Sequence, residues 1–188
     1  MDALLTTFVA ALLAEVGDRT QLFVIVLAAR YGRPAPILIG LAIAALANSV
    51  IAALGASFIN DLISLRALSL LVALSLLFAG VGSMIRRKAP DMGTGWRTGA
   101  LVTAAVCLFL LEFGDKTQFI TFALAARFDS VALASAGAAV GIVVANLPAA
   151  LVGARLPELV PLRAIRYAIA ALFVISGFIV AVQALELA

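Results

Sequence analysis

Histidine is absent from this chain, and cysteine occurs once, at Cys107. A disulfide within the chain is therefore excluded, as is any zinc site of the Cys/His type. The ligand atoms that remain are oxygens, apart from one thiol and three methionine sulfurs. Charge is scarce as well: 12% of residues are charged, where soluble domains carry about a quarter. Hydrophobic residues make up 65%, in runs too long and too numerous to hide inside one soluble core, so the composition is that of a membrane protein. The net charge of +3 does not point to nucleic acid, because most basic residues lie between apolar runs, where they report orientation. No nucleotide-binding motif is present, so any work the protein performs is expected to draw on an ion gradient. No basic stretch precedes the first apolar run, which is not read as a cleaved signal peptide.

A hydrocarbon core about 30 Å thick takes about 20 apolar residues per helix. Six segments qualify: 3–29, 34–58, 67–85, 98–126, 131–153 and 164–184. The breaks between them are mostly marked by Gly, Pro, Asn or Asp. Gly32, Pro34 and Pro36 read as turn chemistry. Continuous helices are the default expectation, since backbone facing lipid must satisfy its own hydrogen bonds. The expected fold is all-α and polytopic, with six transmembrane helices. Arg30, Arg33, Arg86, Arg87, Lys88, Arg97, Arg155, Arg163 and Arg166 fall on one side, and only Arg66 and Arg127 on the other. The first side is expected to be cytoplasmic, with the basic cluster 86–88 as a topology anchor and both termini outside. Tyr31, Trp96 and Tyr167 fall near span ends on that same side, as interfacial anchors.

The two halves match. Glu15, Gly17, Asp18, Thr20, Gln21 and Arg30 reappear 97 positions later as Glu112, Gly114, Asp115, Thr117, Gln118 and Arg127. LRAL at 65–68 answers LRAI at 162–165, and a shift of one residue pairs Asn48 with Asn146. The chain thus reads as one transmembrane domain, 1–188, with repeat one at 1–88, a cytoplasmic loop at 86–97 and repeat two at 97–188. Three spans per half is an odd number, so the second half enters the membrane inverted. In such plans the sites lie near the midplane, where the repeats meet.

The most discordant residues sit in these repeats. EVGDRTQ at 15–21 and EFGDKTQ at 112–118 place charges in the middle of apolar runs. In a continuous helix, residues three apart share a face, so Glu15 with Asp18, and Glu112 with Asp115, each present two carboxylates together. Inverted symmetry brings these dyads to a similar depth, where four carboxylates suit a hard divalent cation such as Ca²⁺, Mg²⁺ or Mn²⁺. Gly17 and Gly114 allow close helix approach or a local break that frees backbone carbonyls. When ionised, the four acids carry four negative charges, and Arg19 and Lys116 return two positive ones. One divalent cation cancels the remainder, and so do two protons. The plainer alternative is pairing within each helix, Glu15 with Arg19 and Glu112 with Lys116. That leaves Asp18 and Asp115 unmatched, and intramembrane ionisable groups are functional by default.

The remaining candidates stay open between two roles. Asn48 and Asn146 either supply a ligand oxygen or bond to a neighbouring helix. Gln21 and Gln118 either line the path or join helices, and Thr20 and Thr117 are either ligands or bond back to their own backbone. Cys107 reads as a small packing residue.

Two copies of E-x-G-D-[KR]-[TS], EVGDRT and EFGDKT, in the first and fourth of six spans resemble the manganese/calcium cation–proton antiporters. That family includes bacterial manganese exporters, plastid manganese transporters and a Golgi protein whose loss disturbs glycosylation. The resemblance covers essentially the whole chain. It implies a transporter rather than an enzyme, with no prosthetic group, exporting Mn²⁺, or Ca²⁺ as the second candidate, in exchange for protons across a bacterial inner membrane. Its ligands map onto Glu15, Asp18, Glu112 and Asp115, and its motif threonines onto Thr20 and Thr117. Two rivals are an exporter of small organic solutes such as amino acids, and an intramembrane metal-dependent enzyme using the same carboxylates and threonines.

Overall fold

The computed structural model describes residues 1–85, 88 and 95–186, and these contain helices and no strand. Arg86, Arg87 and most of the expected cytoplasmic loop lie outside the described residues. Nine α-helices follow in order: α1 Asp2–Glu15, α2 Arg19–Tyr31, α3 Pro34–Asn60, α4 Leu65–Met84, α5 Ala100–Glu112, α6 Lys116–Phe128, α7 Val131–Val152, α8 Leu156–Leu159 and α9 Leu162–Leu185. Four helical stretches are long and apolar enough to cross a membrane: α3, α4, α7 continued through α8, and α9.

The apolar runs 3–29 and 98–126 correct the expectation of continuous helices. Each is two short helices, α1 with α2 and α5 with α6, interrupted at the charged motif. At about 1.5 Å per residue none of these four, of 13 or 14 residues, reaches across a core about 30 Å thick alone. The cause is local. Val16 has φ −64° and ψ 121°, Gly17 has φ +75°, and the Asp18 N–H donates to the Glu15 carbonyl at 3.1 Å. Phe113, Gly114 and Asp115 repeat this, with φ −65°, ψ 120°, φ +76° and 3.1 Å to Glu112. These are the features of a type II turn, whose third residue needs positive φ and so favours glycine. E-x-G-D puts glycine at that position.

The two turns differ in surroundings. A Cβ on Gly17 would lie 3.3 Å from the Arg166 Cβ and from the Leu162 carbonyl oxygen, whereas one on Gly114 would meet nothing within 4 Å among the described residues. Gly114→Ala is therefore expected to cost only the left-handed backbone penalty of roughly 1–2 kcal/mol. Gly17→Ala is expected to cost more, because α9 must also move. Thermal unfolding of both variants in detergent, with equal losses, would contradict this difference.

Packing relates the halves. α1 packs on α7 and α5 on α3, while α3 with α7 and α4 with α9 join the two halves. Close approach in the first two pairs rests on small residues: Gly137 sits against Leu4 and Phe8, and its counterpart Gly40 against Leu101 and Ala104. At one end of the bundle, Arg30 donates to the Trp96 carbonyl at 2.7 Å and Tyr31 Oη to the Thr98 carbonyl at 3.1 Å. Arg66 donates to the Leu185 carbonyl at 3.0 Å, and Arg127 to Ser69 Oγ at 3.2 Å.

Candidate cation site

The two turns bring the ends of four helices to one place. Glu15 and Glu112 are the last residues of α1 and α5, and Arg19 and Lys116 the first of α2 and α6. The partial negative ends of α1 and α5 and the partial positive ends of α2 and α6 therefore meet at the motifs. Each turn is braced by its own glutamine: Gly17 N–H donates to Gln21 Oε1 at 2.9 Å and Gly114 N–H to Gln118 Oε1 at 2.6 Å. The amide nitrogens then reach to neighbouring helices. Gln21 Nε2 donates to the Ala145 carbonyl at 2.8 Å, but Gln118 Nε2 lies 3.4 Å from the Asn48 carbonyl and 3.5 Å from Asn48 Oδ1.

The charges pair across the repeats, which corrects the intrahelical alternative. Arg19 Nη2 meets Asp115 Oδ1 at 2.9 Å, and Lys116 Nζ meets Asp18 Oδ2. Lys116 also lies 3.7 Å from Asp115 Oδ2. The turn is the reason, since it removes Glu15 and Arg19 from a common helical face and aims each cation at the opposite motif. Thr117 Oγ1 donates to Glu15 Oε1 at 2.5 Å, a third crossed contact. Glu15, Asp18, Thr20, Gln21, Glu112, Lys116 and Thr117 are all buried.

The glutamates are not equivalent. Among the described residues, Glu15 Oε2 and both carboxylate oxygens of Glu112 are buried without a hydrogen-bond partner. Glu112 borders a small cavity shared with Asn48, Ser49, Thr117, Gln118 and Thr121. Its open space is about 10 Å³, on the scale of a single water-sized sphere. Unpaired buried carboxylate oxygens are costly, and oxygen donors with no proton to offer are what a hard cation takes as ligands. Among the described residues no three Asp, Glu or Cys side chains are gathered into a ready metal cage. The two motifs meet, but the aspartates are engaged by the basic residues.

Asn48 Nδ2 donates to the Phe109 carbonyl of α5 at 3.0 Å, whereas Asn146 Nδ2 donates to the Ile142 carbonyl of its own helix at 2.9 Å. Asn146 Oδ1 is buried without a partner. Ser49 and Thr121 were not singled out by the sequence, and Arg166 only as one of the basic residues that report orientation. None of the three has a like residue at the equivalent position of the other half, so the duplication carries no signal for them. Thr121 did carry a helical signal, four residues past Thr117.

The two motifs are unequally exposed. Phe113 and Gly114 are exposed, and Asp115 and Gln118 border an apolar groove with Ile51, Phe78, Phe119 and Phe122. Gly17 and Asp18 are buried, with Leu162 and Arg166 over Gly17.

Comparison with known proteins agrees with this duplication of parts. The family described as divalent cation/proton antiporter GDT1 matches residues 3–91 and again residues 100–188. A protein of Vibrio cholerae serotype O1 (strain ATCC 39541 / Classical Ogawa 395 / O395), named "Putative manganese exporter", is 32% identical over 178 residues, covering 94% of this chain and 89% of its own. No solved structure matches the chain.

Proposed function

The chain belongs to the divalent cation/proton antiporter GDT1 family, a family of transporters and not of enzymes, and from that premise we propose that it exports Mn²⁺ from the cytosol in exchange for protons. Ca²⁺ is the second candidate. Glu15, Asp18, Glu112 and Asp115 are the proposed ligands, and Arg19 and Lys116 balance charge. The observation that carries this reading is the crossed cluster with its unpartnered glutamate oxygens. The aspartates are compensated by Arg19 and Lys116, so the excess negative charge falls on Glu15 and Glu112. A divalent cation cancels it, and two protons cancel it equally, which makes the two cargoes alternatives at one site. Carbonyls at the ends of α1 and α5 stand ready as further ligands, as in other transporters with interrupted helices. The residual charge of the site is negative, which favours a cation over the zwitterion of the organic-solute rival.

In this reading α1 with α2, and α5 with α6, each form one interrupted span. Six spans then make two inverted repeats in a bacterial inner membrane, with both termini outside and the central loop cytoplasmic. The double family match supports the repeat. The contacts of Arg30 and Tyr31 with 96–98, and of Arg66 with Leu185, support the grouping of helix ends into two faces. The exposed second motif and sealed first motif fit one state of an alternating-access cycle, in which rocking of the repeats exchanges the two environments.

Everted membrane vesicles test the exchange. Added Mn²⁺ is expected to enter and to drive protons out, and the rate is expected to fall as the medium is acidified, because protons and Mn²⁺ compete for the same carboxylates. Mn²⁺ entry at a rate independent of pH would remove the proton from the mechanism. Accumulation of amino acids instead would replace the cargo.

A further inference from the structure

The cavity beside Glu112 breaks the symmetry of the repeats in its chemistry. Its lining includes Ser49, Thr121 and Ile142 as well as Asn48 and the motif residues Glu112, Thr117 and Gln118. Ser49 and Thr121 are both at least nine-tenths buried, at 2% and 1% exposure. Repeat matching pairs Thr121 with Val24 and, through the one-residue shift that pairs Asn48 with Asn146, Ser49 with Leu147. Neither counterpart has a hydroxyl, so the Ser49 and Thr121 hydroxyls are not repeated at the equivalent positions of the other half, and the hydroxyl that reaches Glu15 is that of Thr117. The glutamates differ as well: Glu15 accepts a hydrogen bond from Thr117, whereas both Glu112 oxygens are buried without a partner beside the cavity.

Resting on the transport reading above, we propose that the cation is held off-centre, in a chamber belonging to repeat two's glutamate, where Ser49 and Thr121 supply neutral oxygen ligands beside Glu112. Thr121 spends its proton on the Thr117 carbonyl at 2.8 Å, which leaves its lone pairs available to a cation. Neutral hydroxyls add ligand oxygens without adding charge. They raise the coordination number, which Mn²⁺ and Ca²⁺ require, and leave intact the balance that lets two protons replace one cation. Gln118 stands between this chamber and the open groove, since it lines both. Its long contacts to Asn48, against the 2.8 Å bond of Gln21, leave the chamber's closure weaker on that side.

The test is Mn²⁺ uptake by the full chain in proteoliposomes, with Cd²⁺ as competitor. Ser49→Ala and Thr121→Val are each expected to raise the KM for Mn²⁺ about tenfold, the low end of the loss when a group supporting a metal is removed, with kcat changed little. Thr121→Ser is expected to restore the KM. Ser49→Cys replaces a hard ligand by a soft one and is expected to make Cd²⁺ inhibit at about tenfold lower concentration. A packing role alone would not produce that shift. Wild-type KM in both deletion variants with no Cd²⁺ shift in Ser49→Cys would overturn the assignment. If Ser49→Ala or Thr121→Val is not recovered folded, Ser49→Cys and Thr121→Ser decide alone. Failure of the wild-type protein to move Mn²⁺ would instead strike the transport reading itself.

Discussion

Glu112→Gln is expected to abolish Mn²⁺/proton exchange while leaving the thermal stability of the protein unchanged or higher. The two effects have one origin. Glu112 is 3% exposed and neither of its carboxylate oxygens has a partner among the described residues, so holding a charge there opposes folding. Glutamine has nearly the same shape, carries no charge and brings an amide that can donate, and so relieves that cost. It also removes the anion that the cation and the proton are proposed to share. Active sites commonly hold such groups at the expense of stability. Transport in proteoliposomes and unfolding in detergent measure the two halves separately. A Glu112→Gln protein that still exchanges Mn²⁺ for protons would remove Glu112 from the site. A markedly less stable one would mean that Glu112 has partners that hold the fold.

Lys116→Met is expected to act in the opposite direction on stability. Lys116 is 2% exposed and paired with Asp18 across the repeats. Its removal takes the buried cation from that carboxylate. Breaking a buried pair by deleting one partner costs about 3–5 kcal/mol, which for a chain of this size lowers Tm by roughly 10 °C. The double variant Asp18→Asn with Lys116→Met removes both charges and is expected to recover much of the loss without recovering transport. That pattern separates a charge held for folding from a charge held for function. If the single variant were as stable as the wild type, the crossed pair would be contributing little, and Arg19–Asp115, whose Arg19 side chain is 36% exposed, would contribute less still.

Several elements were legible from residue order. The apolar runs at 34–58, 67–85, 131–153 and 164–184 became α3, α4, α7 and α9 with ends shifted by a few residues, because a long apolar stretch has few ways to satisfy its backbone except as helix. The helix breaks at Gly17 and Gly114 were named only as one option, although E-x-G-D carries glycine where a type II turn requires it. The surrounding apolar run concealed that signal, since hydropathy reports burial and says nothing of φ. Thr117 shows the limit of reading single positions. Bonding to its own backbone and acting as a ligand were weighed for it, and it bonds to Glu15, 102 residues away.

Residue order alone determined that the chain is helical, built for a membrane, duplicated, and acidic at two matched points. Each of these follows from local composition or spacing. The tertiary structure decided that Arg19 answers Asp115 and Lys116 answers Asp18, that one oxygen of Glu15 is bonded while neither oxygen of Glu112 is, and that Ser49 and Thr121 share a cavity with Glu112. Those outcomes depend on which helix ends meet. The two halves carry nearly the same motif, so no local pattern distinguishes their surroundings; it is in the packed helices that α9 lies over Gly17 while, among the described residues, nothing lies within 4 Å of a Cβ built on Gly114.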